Sequence, residues 1–337
     1  MSTFSKDMEK TQTAWRQRHI ATREQGTQNG VQYPWILPKN HWWESLWPGI
    51  RLDSDNSVER YIKKAKIQEH SGVHNLKSSW VLCANLYFAH RCDRRLLTRF
   101  LADHVDRRIV QIECLELEWV EEAPLDPSSL LGEPGGRRGA SQTSPDVAFV
   151  VSLQNGGRGL ILTEIKFTEH SFYPCSGRKK EYGNPDPERC LSAQTVFNDP
   201  GSQCHLLNWE TKKRTNRQYW DHIEISQIGL HTLQKCPAAM AGYQLFRQTA
   251  LAEGIAKSGR YDLVVSAVAY DERNKNLVHS MRSTGVEDFT EEWGALINGP
   301  ARFTTFTHQE WVSYVRSNDT EGHWRKWLDW MNERYGY

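Results

Sequence analysis

The sequence lacks the features that mark membrane or secreted proteins. Its 337 residues contain no apolar run long enough to span a bilayer, and the polar, charged stretch from Ser2 to Gln25 does not resemble a secretory signal. Seven cysteines, an odd number in a chain without such a signal, indicate reduced thiols. We therefore expect a cytoplasmic protein with no membrane partner.

The chain also lacks internal repeats, low-complexity tracts and an excess of one charge. Lys+Arg 42 and Asp+Glu 41 leave a net charge of +1. That balance neither requires nor excludes a nucleic-acid partner, because local basic surface and acidic clusters can cancel. With 38% hydrophobic and 25% charged residues, the composition is that of a globular chain and excludes wholesale disorder.

Local patterns predict an α/β protein whose central elements follow the order α-β-β-β-α-β. Helical periodicity marks residues 57–70, 76–105 (in two pieces) and 237–256, and strand patterns mark residues 109–120, 146–153, 160–167 and 261–270. This order predicts a mixed β-sheet flanked by helices. We divide the chain into an N-terminal arm (1–56), a core (57–270) with a polar insertion (170–222), and a helical C-terminal extension (271–337).

Chemistry-bearing residues lie on the two central strands, which the turn Gln154–Gly159 joins into a hairpin. Asp146 begins the first strand, and Glu164 and Lys166 lie on the second. Because residues two apart in a strand project from one face, Glu164 and Lys166 point together, and the hairpin can return them to Asp146. Two carboxylates can share Mg²⁺ while the ammonium orients or deprotonates an attacking water.

The Glu-x-Lys pattern by itself is not specific, and its position on an apolar strand is what makes it informative. A second Glu-x-Lys occurs at residues 210–212, in a polar segment without strand character, whereas Glu164 and Lys166 lie on an apolar strand. Charges on such strands are costly unless paired, which favours a catalytic role over a solvated pair. Glu116 and Glu118, on the preceding strand, could add an acidic ligand, but their alternation with apolar residues favours a solvated face.

Pro145-Asp146 followed by Glu164-Ile165-Lys166, in this order of elements, resembles the PD-(D/E)XK nuclease superfamily over residues 57–270. The stretches His74–Ser79 and Tyr243–Arg247 are similar to a branch of bacterial restriction-endonuclease-like proteins, although Trp80 stands where that branch would have glutamine. The resemblance implies a restriction-endonuclease-like fold.

By the same resemblance, we expect an Mg²⁺- or Mn²⁺-dependent endonuclease that hydrolyses phosphodiester bonds of DNA, an activity that would serve restriction or anti-phage defence. Asp146 and Glu164 would bind the metal, Lys166 would activate water, and Gln244 would approach the same site. An RNA-cleaving nuclease and a non-catalytic nucleic-acid-binding subunit stay open as alternatives. A homodimer, or a place in a defence complex, is compatible with cutting both strands of a duplex.

The insertion carries two further sets of candidates. Basic clusters that could neutralise phosphate comprise Arg178, Lys179, Lys180, Lys212, Lys213 and Arg214. Thiols in a polar segment raise a structural Zn²⁺ or an iron–sulfur cluster, with Cys175, Cys190, Cys204 and His205 as candidate ligands. The insertion has no Cys-x-x-Cys pair, and the spacings between its cysteines are not diagnostic, so the pattern favours thiols without a metal.

Overall fold

A mixed β-sheet lies at the centre of the computed structural model, which describes residues 3–178, 181, 184, 186–207 and 217–337. In chain order the strands are β1 (Thr27–Gln28), β2 (Val31–Gln32), β3 (Ile109–Leu117), β4 (Val147–Leu153), β5 (Arg158–Lys166), β6 (Glu224–Ile225), β7 (Leu263–Tyr270), β8 (Ile297–Asn298) and β9 (Arg302–Thr307). The central sheet has five strands in the order β3-β4-β5-β7-β9. β3, β4 and β5 pair antiparallel, whereas β7 pairs parallel to both β5 and β9.

Helices cover the sheet. In chain order they are α1 (Thr3–His19), α2 (Val58–Lys64), α3 (Ser79–Leu86), α4 (Arg95–His104), α5 (Pro127–Leu131), α6 (Ala193–Asn198), α7 (Pro200–Gln203), α8 (Tyr219–His222), α9 (Gln227–Thr232), α10 (Pro237–Met240), α11 (Tyr243–Lys257), α12 (Lys275–Val278), α13 (Phe289–Glu292), α14 (His308–Asn318) and α15 (Arg325–Tyr335). The expected mixed sheet flanked by helices is confirmed. None of the helices in the described ranges has both the length and the apolar character needed to cross a bilayer.

Sequence signals set several element ends. Ser57 caps α2 by accepting a hydrogen bond from Arg60 N at 3.2 Å, as a serine before an apolar-periodic stretch does. In the β4–β5 turn, Gly156 takes a φ of +81°, which a residue without Cβ adopts at no steric cost. Leu153 N donates to Gly157 O across that turn at 2.8 Å, so the predicted hairpin forms.

The two faces of the sheet bury two separate apolar clusters. Ile161, Ile165 and Phe167 belong to the cluster that also contains residues of α3, α4 and α14. Leu160 and Leu162, on the other face of β5, belong to the cluster that contains the apolar side of α11. Strand alternation therefore directs Glu164 and Lys166 to the α11 face, where they meet the N-terminal end of that helix.

Two predictions for the ends of the chain need correction. The C-terminal extension is not all helical, because β9 joins the central sheet beside β7. Its sequence, RFTTFT, is rich in threonine and only partly buried, so it lacks the apolar run that marks the inner strands, although β-branched threonine suits an edge strand. The N-terminal arm begins with the helix α1, which is tied to α15 where Gln12 Nε2 donates to Arg334 O at 2.9 Å.

Candidate active site

The β4–β5 hairpin brings Asp146, Glu164 and Lys166 to one end of the sheet. Val147 pairs with Thr163, and the same register carried one residue further sets Asp146 opposite Glu164. Asp146 Oδ2 accepts a hydrogen bond from Ile165 N at 2.7 Å, which fixes the carboxylate against β5. The predicted juxtaposition of these three residues is therefore present in the structure.

Lys166 lies between two acceptors. Its Nζ is 2.8 Å from Glu164 Oε1 and 2.9 Å from Gln244 Oε1. The Lys166 side chain is only 3% exposed and that of Glu164 12%, so solvent screens this ion pair weakly. The ring of Phe172 lies 5.5 Å from Nζ and closes the other side. The lysine is thus held in one position.

Gln244 reaches the site because α11 is anchored to the sheet. One turn further along the helix, Gln248 Nε2 donates to Leu162 O at 3.2 Å, to Ser266 Oγ at 3.1 Å and to Ala267 O at 3.0 Å. These three bonds hold the helix over β5 and β7. Gln244, whose sequence left a structural role equally open, is therefore a neighbour of Lys166.

Glu118 is an acidic residue of the site that strand alternation assigned to a solvated face. It is 7% exposed and lines the same cavity as Asp146 and Glu164. β3 ends one residue earlier, and Glu118 takes a left-handed φ of +46°. Arg138 Nε donates to its carbonyl at 3.0 Å.

Tertiary contacts with a segment distant in the sequence bury Glu118. The segment 123–144, which contains α5, folds over the end of β3, and an added Cβ on Gly139 would lie 3.2 Å from the carboxyl carbon of Glu118. In the sequence, the one sign that Glu118 belongs to the site is that this acidic residue directly follows an apolar strand. Glu116 lies outside the cavity, where its Oε2 accepts from Tyr61 Oη at 2.6 Å and from Arg138 Nη2 at 3.1 Å.

The carboxylates of the site repel one another. Burial raises the pKa of Asp146 well above its ordinary value, and the charges of Glu164 and Glu118 raise it further. Burial, together with the charge of Glu164, raises the pKa of Glu118 to about 8. Burial would lower the pKa of Lys166, but Glu164, Glu169 and Asp146 outweigh it and raise that pKa. These raised pKa values favour the protonated forms of Asp146 and Glu118 near neutral pH, and a bound cation would favour loss of those protons.

The site opens into a cavity of about 210 Å³, whose walls include Asp146, Glu164, Glu118 and Gln244 together with Arg247 of α11. A wider cleft of about 950 Å³ adjoins it, since His70 lines both. Polar side chains line the cleft, among them Asn75, Lys77, Glu169, His170 and Tyr173.

The residues fit a hard divalent cation. Asp146 and Glu164 supply oxygen ligands, and Mg²⁺ commonly takes one or two protein carboxylates and completes its shell with water and substrate oxygens. Within the described residues, no three His, Cys, Asp or Glu side chains are arranged so that they could hold one metal ion. A pair of protein carboxylates is thus the donor set that this structure offers.

Of the six basic candidates in the insertion, the described residues include Arg178. Lys179, Lys180, Lys212, Lys213 and Arg214 lie outside the described residues. Arg178 is described, and its Nη1 donates to Pro187 O at 2.6 Å. Its guanidinium thus bonds within the insertion and does not line the cavity of Asp146 and Glu164, so a phosphate role for these residues stays a prediction.

The cysteines of the insertion gather in one apolar cluster. Cys175, Cys190 and Cys236 are buried there, and Cys204 packs against them. Burial and the nearby thiols raise the pKa of Cys175 to about 12 and that of Cys190 to about 11. His205 is buried beside Cys175, next to Gly177. No three of these groups are arranged to hold one ion in the described chain, and the structural metal stays an untested expectation.

Comparison with known proteins gives one match. A family model described as "Restriction Endonuclease associating with ARP" matches residues 9–336, nearly the whole chain. No curated protein and no solved structure matches significantly.

Proposed function

This chain belongs to the family of restriction endonucleases associating with ARP, and on that premise we propose that it is a metal-dependent endonuclease that hydrolyses phosphodiester bonds of DNA. The observation that carries the proposal is the Asp146–Glu164–Lys166 cluster at the end of the β4–β5 hairpin, with its lysine fixed by two hydrogen bonds.

Asp146 and Glu164 would hold Mg²⁺ or Mn²⁺ through their carboxylate oxygens. When bound, the ion supplies neutralisation of charge on the phosphate and a lowered pKa for a water molecule. Raised pKa values of buried acids beside a cavity are typical of such centres, and those of Asp146 and Glu118 support the proposal. Glu118 is the third acid in the cavity.

Lys166 orients the attacking water and offsets negative charge that develops on the phosphate. Gln244 accepts from Lys166 Nζ at 2.9 Å and so prevents the ammonium from rotating away from the cavity. Fixed donors of this kind need no reorganisation when charge develops, which is why their position matters more than their number. Gln244 is therefore a positioning residue in this proposal.

The adjoining cleft supports a polymer as the substrate. A cavity of about 210 Å³ alone would suit a small ligand, but a polar-lined cleft of about 950 Å³ shares His70 with it. A nucleic-acid strand could run through both while one phosphate meets the carboxylates. Hydroxyl, amide and imidazole groups in the lining can hydrogen-bond base edges and sugars.

A cleavage assay tests the proposal. Duplex DNA, single-stranded DNA and RNA of matched sequence are incubated with wild type in Mg²⁺ and in EDTA, beside Glu164→Gln and Glu113→Gln. Glu113 lies on β3 and pairs with Arg158 in a half-exposed ion pair, so it controls for loss of an acid from the same sheet. We expect Mg²⁺-dependent cutting of DNA by wild type and by Glu113→Gln, and at least a 100-fold loss in Glu164→Gln.

Other outcomes would redirect the proposal. Cleavage of RNA in preference to DNA would leave the centre intact and change the substrate. Absence of cleavage, together with calorimetry in which Glu164→Gln binds Mn²⁺ as wild type does, would favour a non-catalytic binding subunit.

We further propose that this chain works with ARP, the associated component that the family description names, and that its task is restriction or defence against foreign DNA. Co-purification of tagged chain with ARP from a strain that carries both tests the association. Light scattering of the purified chain tests the predicted homodimer.

A further inference from the structure

Arg247 lies on α11, three residues after Gln244, and lines the same cavity as Asp146 and Glu164. Residues three apart on a helix share a face, so the helix that brings Gln244 to Lys166 also brings a guanidinium to the cavity wall. Nothing in the metal chemistry above uses this residue.

Thr143 and Glu133 hold the guanidinium of Arg247 through its Nε. Arg247 Nε donates to Thr143 Oγ1 at 2.9 Å and lies 3.1 Å from Glu133 Oε1. Glu133, whose side chain is 2% exposed, is itself fixed by Thr143, which donates from both N and Oγ1. Tyr219 Oη also donates to Glu133, at 2.8 Å.

The other end of the guanidinium is available. Every hydrogen bond that Arg247 makes among the described residues leaves from Nε, while the side chain stays 23% exposed. The ring of Tyr243 lies 5.1 Å from the guanidinium carbon and supports one face of the group. The two terminal NH₂ groups, with four N–H donors, therefore make no hydrogen bond to a described residue, on a side chain that lines the cavity.

Phosphate is the ligand that this arrangement suits. A guanidinium presents two parallel N–H donors that match two oxygens of one phosphate, and it stays charged at every working pH. A phosphate drawn to a cation at Asp146 and Glu164 would lie in the cavity that Arg247 lines. Burial of a polar network is costly unless it serves a purpose, and this one holds a guanidinium at a fixed place.

We propose that Arg247 binds a non-bridging oxygen of the nucleic-acid phosphate that is cleaved, and that Glu133 and Thr143 are the residues that position it. The inference rests on the proposed function, since it names the phosphate contact of that same centre. A purely structural network would instead tie Tyr219, in the insertion, to α11 and leave phosphate binding untouched.

The test uses Arg247→Lys, which keeps the positive charge but loses the two parallel N–H donors (the fork), and Arg247→Gln, which loses both the charge and the fork. Arg108→Lys is the matched control, because Arg108 Nε also donates to a carboxylate, that of Asp106, at 3.0 Å. It lies at the opposite end of the sheet, next to the residue pair Ile109–Leu153. Melting temperatures and circular dichroism of all variants report on folding.

Binding is measured by fluorescence anisotropy of a labelled 20-base-pair DNA in Ca²⁺, across a series of salt concentrations. For Arg247→Gln, we expect the slope of log affinity against log salt to fall by about 1, the value for one lost phosphate contact. In Mg²⁺, kcat should fall about 100-fold for both substitutions at Arg247. Glu133→Gln should lower kcat and leave the salt slope unchanged, since the charge remains while its position loosens.

Wild-type salt slope and kcat in both Arg247 variants would overturn the inference, whatever their melting temperatures. If Arg247→Gln does not fold, Arg247→Lys decides, because a folded variant with wild-type kcat contradicts a need for the fork. Failure of the proposed function looks different, since wild type itself would then show no cleavage dependent on Glu164.

Discussion

Substitution of Lys166 by methionine separates the structural and chemical roles of the buried ion pair. Methionine keeps much of the side-chain length and removes the ammonium that lies 2.8 Å from Glu164 Oε1. Glu164 would then be left as an uncompensated charge at a site only 12% exposed. Removal of one partner of a buried pair costs about 3–5 kcal/mol, so we expect the free energy of unfolding in EDTA to fall by that amount.

The double variant Glu164→Gln/Lys166→Met tests the cause of that loss. With both charges gone, nothing charged is left unpaired, and we expect the free energy of unfolding to return to within about 1 kcal/mol of wild type. On the proposed function, neither variant recovers cleavage. Arg158→Met is the control, because its pair with Glu113 is half-exposed on both sides and contributes about 0–1 kcal/mol.

Guanidinium unfolding followed by tryptophan fluorescence gives the stabilities, and single-turnover cleavage gives the rates. The reasoning fails at the chemical step if Lys166→Met cleaves DNA at the wild-type rate. It fails at the electrostatic step if the double variant stays as unstable as Lys166→Met. Recovery of both stability and cleavage in the double variant would assign Lys166 a structural role alone.

Three further predictions concern metal, pH and the loop over the site. Mg²⁺ at 100 times its dissociation constant should stabilise wild type by about 2.7 kcal/mol, and thermal shifts should show this gain absent in Asp146→Asn. Burial lowers the pKa of His90 to about 3, so its contribution to stability is present above pH 6.5 and is lost as pH falls toward 3. At pH 4.5, two units below the ordinary pKa of histidine, the free energy of unfolding should have fallen by about 2.7 kcal/mol. Urea titrations should show that this fall disappears in His90→Phe and remains in His104→Phe. Gly139 has a φ of +78°, and the Cβ of Gly139→Ala would lie 3.2 Å from the Glu118 carboxyl carbon. We expect Gly139→Ala to destabilise the fold by about 1–3 kcal/mol and to slow cleavage. A wild-type cleavage rate would show that the position of Glu118 does not matter for the reaction.

Local pattern was sufficient for the inner elements of the fold. β4, β5 and β7 are apolar runs of the kind that buried strands require, and the Asn-Gly chemistry between β4 and β5 specified a hairpin. The sequence pattern did not predict β9, because an edge strand needs only one buried side. Its sequence RFTTFT contains no apolar run, and its place in the sheet follows from pairing with β7, a contact made across more than thirty residues of chain.

The sequence alone determined that Glu164 and Lys166 share a face and that a hairpin returns them to Asp146, because strand alternation and turn chemistry are local. Only the tertiary structure decided which other groups join them. Glu118 is buried by a loop whose fold depends on contacts distant in sequence, and Arg247 reaches the cavity because Gln248 anchors α11 to the sheet. Such contacts depend on packing between elements, which no periodicity within one segment encodes.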